Sequence, residues 1–297
     1  MKNAIFITLL LLVSTGIINA QTRELYTQYL LQPFLFNPSL IGIDNSNSTL
    51  FLGYRKQWVG INNSPETSYL GYQGFIEKYN SGVGGLVTFD QIGPLQTVRL
   101  KAAYGYQIFI DEARNGWICL GANAKYEQQQ FFINKEKYFD DLAAITSTQN
   151  SNRLDADVGL AYRSDYYTLG FSVENIFNIP HRYLKNNGSI YNFENGIVYN
   201  ASANLVLNSS NNNLKYTPSV LFKFQENVKW QFDFSLLMQY KNTVHFGLNY
   251  RKDDALGVLT GFTFIKKLRF IYSYDIGISD IIKSTMGSHE LTLNYQF

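Results

Sequence analysis

Gly287-Ser288-His289-Glu290-Leu291-Thr292-Leu293-Asn294-Tyr295-Gln296-Phe297 closes the chain. From His289 onward, His289, Leu291, Leu293, Tyr295 and Phe297 alternate without a break with Glu290, Thr292, Asn294 and Gln296. A period of two places one set on each face of a β-strand, one apolar and one polar. The strand runs to the terminal carboxylate and ends on an aromatic residue. On a chain with an export signal, this is the pattern of the last strand of an outer-membrane β-barrel.

The export signal is readable at the other end. Lys2 precedes an apolar run over residues 4–13, and Ile18-Asn19-Ala20 offers small residues for cleavage. That run is too short to span a bilayer as a helix, and no later stretch approaches 18 apolar residues. Yet the 297 residues include 22 Tyr, 22 Phe and 3 Trp, an aromatic density suited to strands and to the girdles of a membrane barrel. A net charge of +2 with interspersed signs predicts no nucleic-acid partner. The single cysteine, Cys119, has no internal partner for a disulfide and reads as a small strand residue.

Other segments alternate in the same way. Over 98–108, Arg99, Lys101, Ala103, Gly105 and Gln107 oppose Leu100, Tyr104, Tyr106 and Ile108. Over 228–240, Trp230, Phe232, Phe234 and Leu236 oppose Gln231, Asp233 and Ser235. The first set should face lipid and the second the lumen, where an open interior would accept Arg at Ser235 far better than lipid would at Phe234. The pattern predicts fourteen strands: 48–57, 67–76, 82–90, 95–109, 116–128, 153–163, 166–174, 196–207, 214–224, 228–240, 243–251, 255–264, 267–276 and 287–297. The expected class is all-β, a transmembrane antiparallel β-barrel with two long extracellular loops, 131–152 and 175–195. Both loops follow odd-numbered strands, and the connections after even-numbered strands are short, as barrel topology requires. Residues 1–20 read as the signal peptide, 21–47 as a lead-in packed in or against the barrel, and 48–297 as the barrel. The lead-in is too rich in Tyr, Leu and Phe to remain comfortably in water.

Several strings are more specific. They are Gln28-Tyr29, Pro33, Phe36-Asn37-Pro38, Tyr54-Arg55-Lys56-Gln57-Trp58-Val59-Gly60-Ile61, Pro65-Glu66-Thr67, Phe89-Asp90, Ile92-Gly93-Pro94 and Gly287-Ser288-His289-Glu290. In order and spacing the chain resembles the PorP/SprF family of the type IX secretion system, over nearly its whole length. It departs from the common family string at Pro38-Ser39-Leu40. The resemblance implies an integral outer-membrane protein whose partners are outer-membrane lipids, other type IX components, and an adhesin or exoenzyme held by its C-terminal sorting domain, as in gliding motility. It equally admits a core component beside the periplasmic ring. The motif positions it singles out are Tyr29, Asn37, Pro38, Arg55, Gln57, Trp58 and Pro65.

The residues themselves add detail. Pro33, Pro38, Pro65 and Pro94 set turns. Trp58, just past the first strand, and Trp117 and Trp230 at strand ends, fit an interface belt. Arg55 shares its face with Phe51 and Gly53 and should point inward to a lumen acid. Tyr138, Phe139, Tyr183, Tyr191 and Phe193 in the long loops are candidate anchors for a partner. No cofactor is expected and no catalytic constellation is visible. His181, His245 and His289 are isolated in sequence, and Asp140-Asp141 and Asp253-Asp254 lack calcium-loop spacing. Surface anchor, porin and barrel enzyme remain as classes, and only the first has specific strings behind it.

Overall fold

The alternation seen in sequence becomes a wall. The computed structural model describes residues 25–43, 48–110, 116–132, 148–184, 189–194, 196–210, 213–226 and 228–297, without the side chains of Asp280 and Ile281. Residues 1–20, Tyr138, Phe139 and Asp140-Asp141 lie outside this set.

The strands are β1 (Thr49–Lys56), β2 (Glu66–Ile76), β3 (Ser81–Ile92), β4 (Leu95–Phe109), β5 (Gly116–Phe131), β6 (Gln149–Ser164), β7 (Tyr167–Glu174), β8 (His181–Leu184), β9 (Ile190–Phe193), β10 (Val198–Leu205), β11 (Leu207–Asn208), β12 (Leu214–Gln225), β13 (Val228–Tyr240), β14 (Val244–Arg251), β15 (Ala255–Phe264), β16 (Leu268–Gly277) and β17 (Ser288–Gln296). Sequential antiparallel pairing runs from β1 through β7, then β10, β12 and on to β17. β10 pairs with β12, and β17 returns to β1 with Thr49 opposite Gln296 and Arg55 opposite Glu290. Fourteen strands therefore close with no free edge, which lipid demands because it offers no partner to an unpaired backbone group. β11 is a short continuation of β10, and β8–β9 form a separate hairpin outside the wall.

The two faces sort as the alternation predicts. Leu50, Leu52 and Tyr54 of β1 and Leu100, Tyr104 and Tyr106 of β4 are exposed on the outside. Arg55, Lys101, Gln107, Asp233, Glu290, Thr292 and Asn294 are buried on the inside. The rim that carries both strand termini has short connections, here called the turn rim. Two of them are tight turns: Thr243 N–H bonds to the Tyr240 carbonyl at 2.9 Å and Lys267 N–H to that of Phe264 at 3.0 Å. Their central residues, Lys241-Asn242 and Ile265-Lys266, all have positive φ, the geometry that matches strand twist. The opposite, loop rim carries 57–65, 175–184, 189–194 and 278–287.

Three sequence expectations are corrected. β5 and β6 are longer than expected, so the first long loop begins after Phe131 and ends before Gln149. The second contains the β8–β9 hairpin. Trp117 is not a rim-belt residue: it is buried on the lumen side beside Cys119, Ala161 and Leu40, with the Arg163 guanidinium 5.1 Å above its ring. Its position on the strand decides this, since Ile118 takes the lipid face.

Candidate functional site

The lumen is occupied. Residues 25–43 run through it as three single 3₁₀ turns, Tyr29–Leu31, Pro33–Leu35 and Pro38–Leu40. Proline opens the second and third, where its missing N–H costs nothing. Asn37 caps the third, its side-chain oxygen accepting from Ser39 N–H at 3.0 Å and from the Ser39 hydroxyl at 2.7 Å. Tyr26, Tyr29, Phe34, Leu35, Phe36 and Ile41 form one apolar cluster with Phe51, Tyr69 and Leu221 of the wall. Leu30 and Leu31 pack on a second patch made by Leu237, Leu259 and Ile271.

Polar contacts fix both ends. Near the loop rim, the Tyr26 carbonyl accepts from Arg251 at 3.4 Å. Near the turn rim, Gln107 donates to the Gly42 carbonyl at 3.5 Å and Arg163 to that of Ile43. Between them Ser172 donates to the Phe36 carbonyl at 2.7 Å, and the Tyr29 hydroxyl meets Ser219 at 3.1 Å. The wall leaves room where the segment passes closest. A Cβ on Gly121 would collide with the Pro38 backbone, and one on Gly82 with the Ile41 carbonyl. The sequence string around Asn37 and Pro38 thus sits against strands that lack side chains at the point of contact.

Above the lead-in, toward the loop rim, two charge networks line the wall. Arg55 donates to Asp275 at 2.7 Å, to Glu290 at 3.1 Å and to the Thr27 hydroxyl at 2.9 Å. Arg251 bridges Asp233 and Asp254, each at 3.1 Å. Opposite, Glu127 accepts from Arg99 at 2.7 Å and Arg153 at 3.1 Å, with His181 Nε2 at 2.7 Å. Lys125 holds Asp157 at 2.6 Å and the Asn175 side chain at 2.5 Å. Buried charges persist only when paired this closely, so these networks rigidify the wall. Among the described residues no cluster of His, Cys, Asp and Glu has metal-binding geometry. Asp253, in the turn after β14, pairs with Lys229 at 2.9 Å; that hydrogen bond holds its carboxyl below the usual range.

The second network reaches into the long loop. His181 of β8 is fully buried against Glu127, and the Tyr183 hydroxyl donates to Gln129 at 2.6 Å. Burial, with Glu127 nearby, pushes the Tyr183 hydroxyl up, so it stays a donor throughout the physiological range. Gln149 receives from Leu184 N–H and donates to its carbonyl, both at 2.7 Å. The hairpin therefore folds inward over the lumen and leans on the extended ends of β5 and β6. Tyr183 is a wall contact, not a surface anchor. Tyr191 of β9 is 44% exposed, together with Leu184 and Ile190, and Phe193 is half-buried.

The remaining motif residues lie on the same rim. Gln57 is buried and its N–H bonds to the Pro65 carbonyl at 2.9 Å. Trp58, half-buried with φ of 47°, donates its N–H to Ser288 at 3.1 Å. Val59 pairs with Gly287 at 2.8 Å and Met286 at 2.7 Å, so loops 57–65 and 278–287 are joined. Trp58 lines the mouth above Arg55 and Asp275. Trp230, outside and 43% exposed with Lys252 over its ring, does occupy a belt position. His245 faces the lumen and meets Thr263 at 2.7 Å; His289 is on the lipid face beside Tyr272 and Tyr274.

The family model described as type IX secretion system membrane protein PorP/SprF matches residues 18–295. No curated protein sequence gives a significant match. Among solved structures, the chain is similar to the CymD monoaromatic hydrocarbon channel, with 12% identity, a TM-score of 0.55 and 96% of each chain covered. It is similar to the toluene transporter TodX of P. putida at 9% identity and a TM-score of 0.52, covering 92% of this chain and 95% of that one. The outer membrane protein Omp33 of Acinetobacter baumannii gives 7% identity and a TM-score of 0.50, covering 84% and 98%. At these identities the likeness is one of fold.

Proposed function

The chain belongs to the PorP/SprF family of type IX secretion system membrane proteins, and from that premise we propose that it holds a secreted partner at the cell surface through its loop rim. It is an outer-membrane barrel of that system. The observation carrying the finer reading is the filled lumen. A segment bonded to the wall from the Arg251 level to the Arg163 level occupies the lumen, which favours a surface as the place of action. Of the two ends, the loop rim offers an elaborated one. There the β8–β9 hairpin presents Leu184, Ile190 and Tyr191, and the joined loops 57–65 and 278–287 present Met286, with the half-buried Trp58 on the same rim. An exposed aromatic and aliphatic group on a braced scaffold is what a protein contact uses as its centre. The partner is an adhesin or exoenzyme with a C-terminal sorting domain, and the role is retention without turnover.

Deletion of the gene tests this. Bulk type IX export should continue while one secreted protein disappears from the surface, released or degraded. Periplasmic build-up of many unrelated cargoes would place the protein in the core machine instead. Intact export and display with impaired small-solute uptake would identify a porin.

A further inference from the structure

Thr27, Gln28 and Gln32 of the lead-in each make a polar contact to β17. Thr27 N–H donates to Glu290 Oε2 at 2.7 Å. Gln28 Nε2 donates to the Glu290 carbonyl at 3.2 Å and to Ser273 at 3.3 Å, and Gln28 Oε1 accepts from the Thr292 hydroxyl. Gln32 Nε2 donates to Asn294 Oδ1 at 2.7 Å. Glu290, Thr292 and Asn294 are successive lumen-facing residues of β17, each at most 2% exposed. All three are bonded to the lead-in, and β17 is the strand that closes the barrel on β1.

The lipid side cannot align that seam. β17 offers Leu291, Leu293 and Tyr295 there, against Leu50, Leu52 and Tyr54 of β1. A slip of one residue would turn every side chain to the wrong face, but a slip of two returns each to its own face. Along this seam it would exchange one apolar pair for another. The lumen side does discriminate. Glu, Thr and Asn do not replace one another, and a two-residue slip would strand the amides of Gln28 and Gln32 and the guanidinium of Arg55 in a buried site.

We propose that residues 27–32 are an intramolecular template that sets the register of the β1–β17 seam as the barrel closes. Ser172 and Asn200, on strands far from the seam, both bond the Phe36 carbonyl, so the segment stays held there when either one is removed.

Disulfide trapping in the full-length protein, in a Cys119→Ser background, reads the register directly. Leu52 and Leu293 are partners on the lipid face, so Leu52→Cys/Leu293→Cys reports the native register. Leu52→Cys/Leu291→Cys and Leu52→Cys/Tyr295→Cys report slips of two. With the native lead-in only the first pair should cross-link in outer membranes treated with a permeant oxidant. Gln28→Ala/Gln32→Ala should raise the offset products relative to the native one by about tenfold or more, since the four hydrogen bonds these side chains make to β16 and β17 are lost together. Ser172→Ala, which removes a lead-in contact away from the seam, should not. Offset products absent from both variants, or raised equally in both, would overturn the template. If the double variant yields no folded barrel, Gln32→Ala alone against Ser172→Ala is read by the same criterion.

Discussion

Arg55 illustrates how one residue serves the whole closure. It stands on β1, bonds Asp275 of β16 and Glu290 of β17, and is 2% exposed. Arg55→Ala would leave the buried Glu290 carboxylate without its direct partner and Asp275 with only Arg251 at 3.7 Å, at a cost of about 3–5 kcal/mol. A urea titration of the folded, heat-modifiable form measures it, and a loss under about 1 kcal/mol would show that water already reaches the pair. On the other face, Phe234 is 42% exposed near the middle of β13, and Tyr240 is 47% exposed at its turn-rim end. Arg at Phe234 should cost about 2–4 kcal/mol and Arg at Tyr240 about 0–1, because lipid penalises charge by depth. Equal losses at the two positions would contradict the placement of the membrane. Arg at Ser235 should be tolerated less well than in an open lumen. Ser235 takes a hydrogen bond from Asn249 at 2.6 Å and borders the space beside Leu30, so a long side chain would overpack the lead-in.

At the scale of elements, the wall strands were legible because lipid on one side and polar groups on the other impose a period of two. The ends of β5 and β6 were not. Gln128-Gln129-Gln130 and Gln149-Asn150-Ser151-Asn152 carry no apolar set, and Gln129, Gln149 and Ser151 among them bond the hairpin. The hairpin was hidden for a similar reason: His181 and Tyr183 are buried by partners over fifty residues away, Glu127 and Gln129. Side of membrane follows from connection length, since long connections in these barrels are extracellular. A membrane-impermeant maleimide should therefore label Asn192→Cys in β9 on intact cells. It should reach Asn208→Cys in β11 only after the outer membrane is opened. The reverse pattern would invert the topology.

The whole molecule is a barrel of the size that can hold an aqueous interior, yet its interior is occupied. Purified protein in planar bilayers should show no steady conductance. A stable, reproducible channel from the wild-type chain would mean that the lead-in leaves the lumen, and the surface-retention reading would lose its main support. The solved barrels that share the fold include a hydrocarbon channel and a toluene transporter. The likeness to them lies in the strand path; in this chain residues 25–43 occupy the lumen.

Strand count, strand facing and antiparallel closure are written in the amino-acid order, because each strand meets two solvents and records both in its alternation. The same order also carries the strings by which the family is recognised. Which motif residues touch one another was decided only by tertiary structure. Gln28 and Thr292 are 264 positions apart, and Arg55 and Glu290 are 235 apart. Nothing local in either stretch encodes the meeting, since a hydrogen bond inside a closed barrel depends on the register of every intervening strand. Tyr183 and Trp117 lie away from their expected places for the same reason: an aromatic side chain is equally suited to lipid, to a partner and to a core, and only its neighbours in space choose among the three.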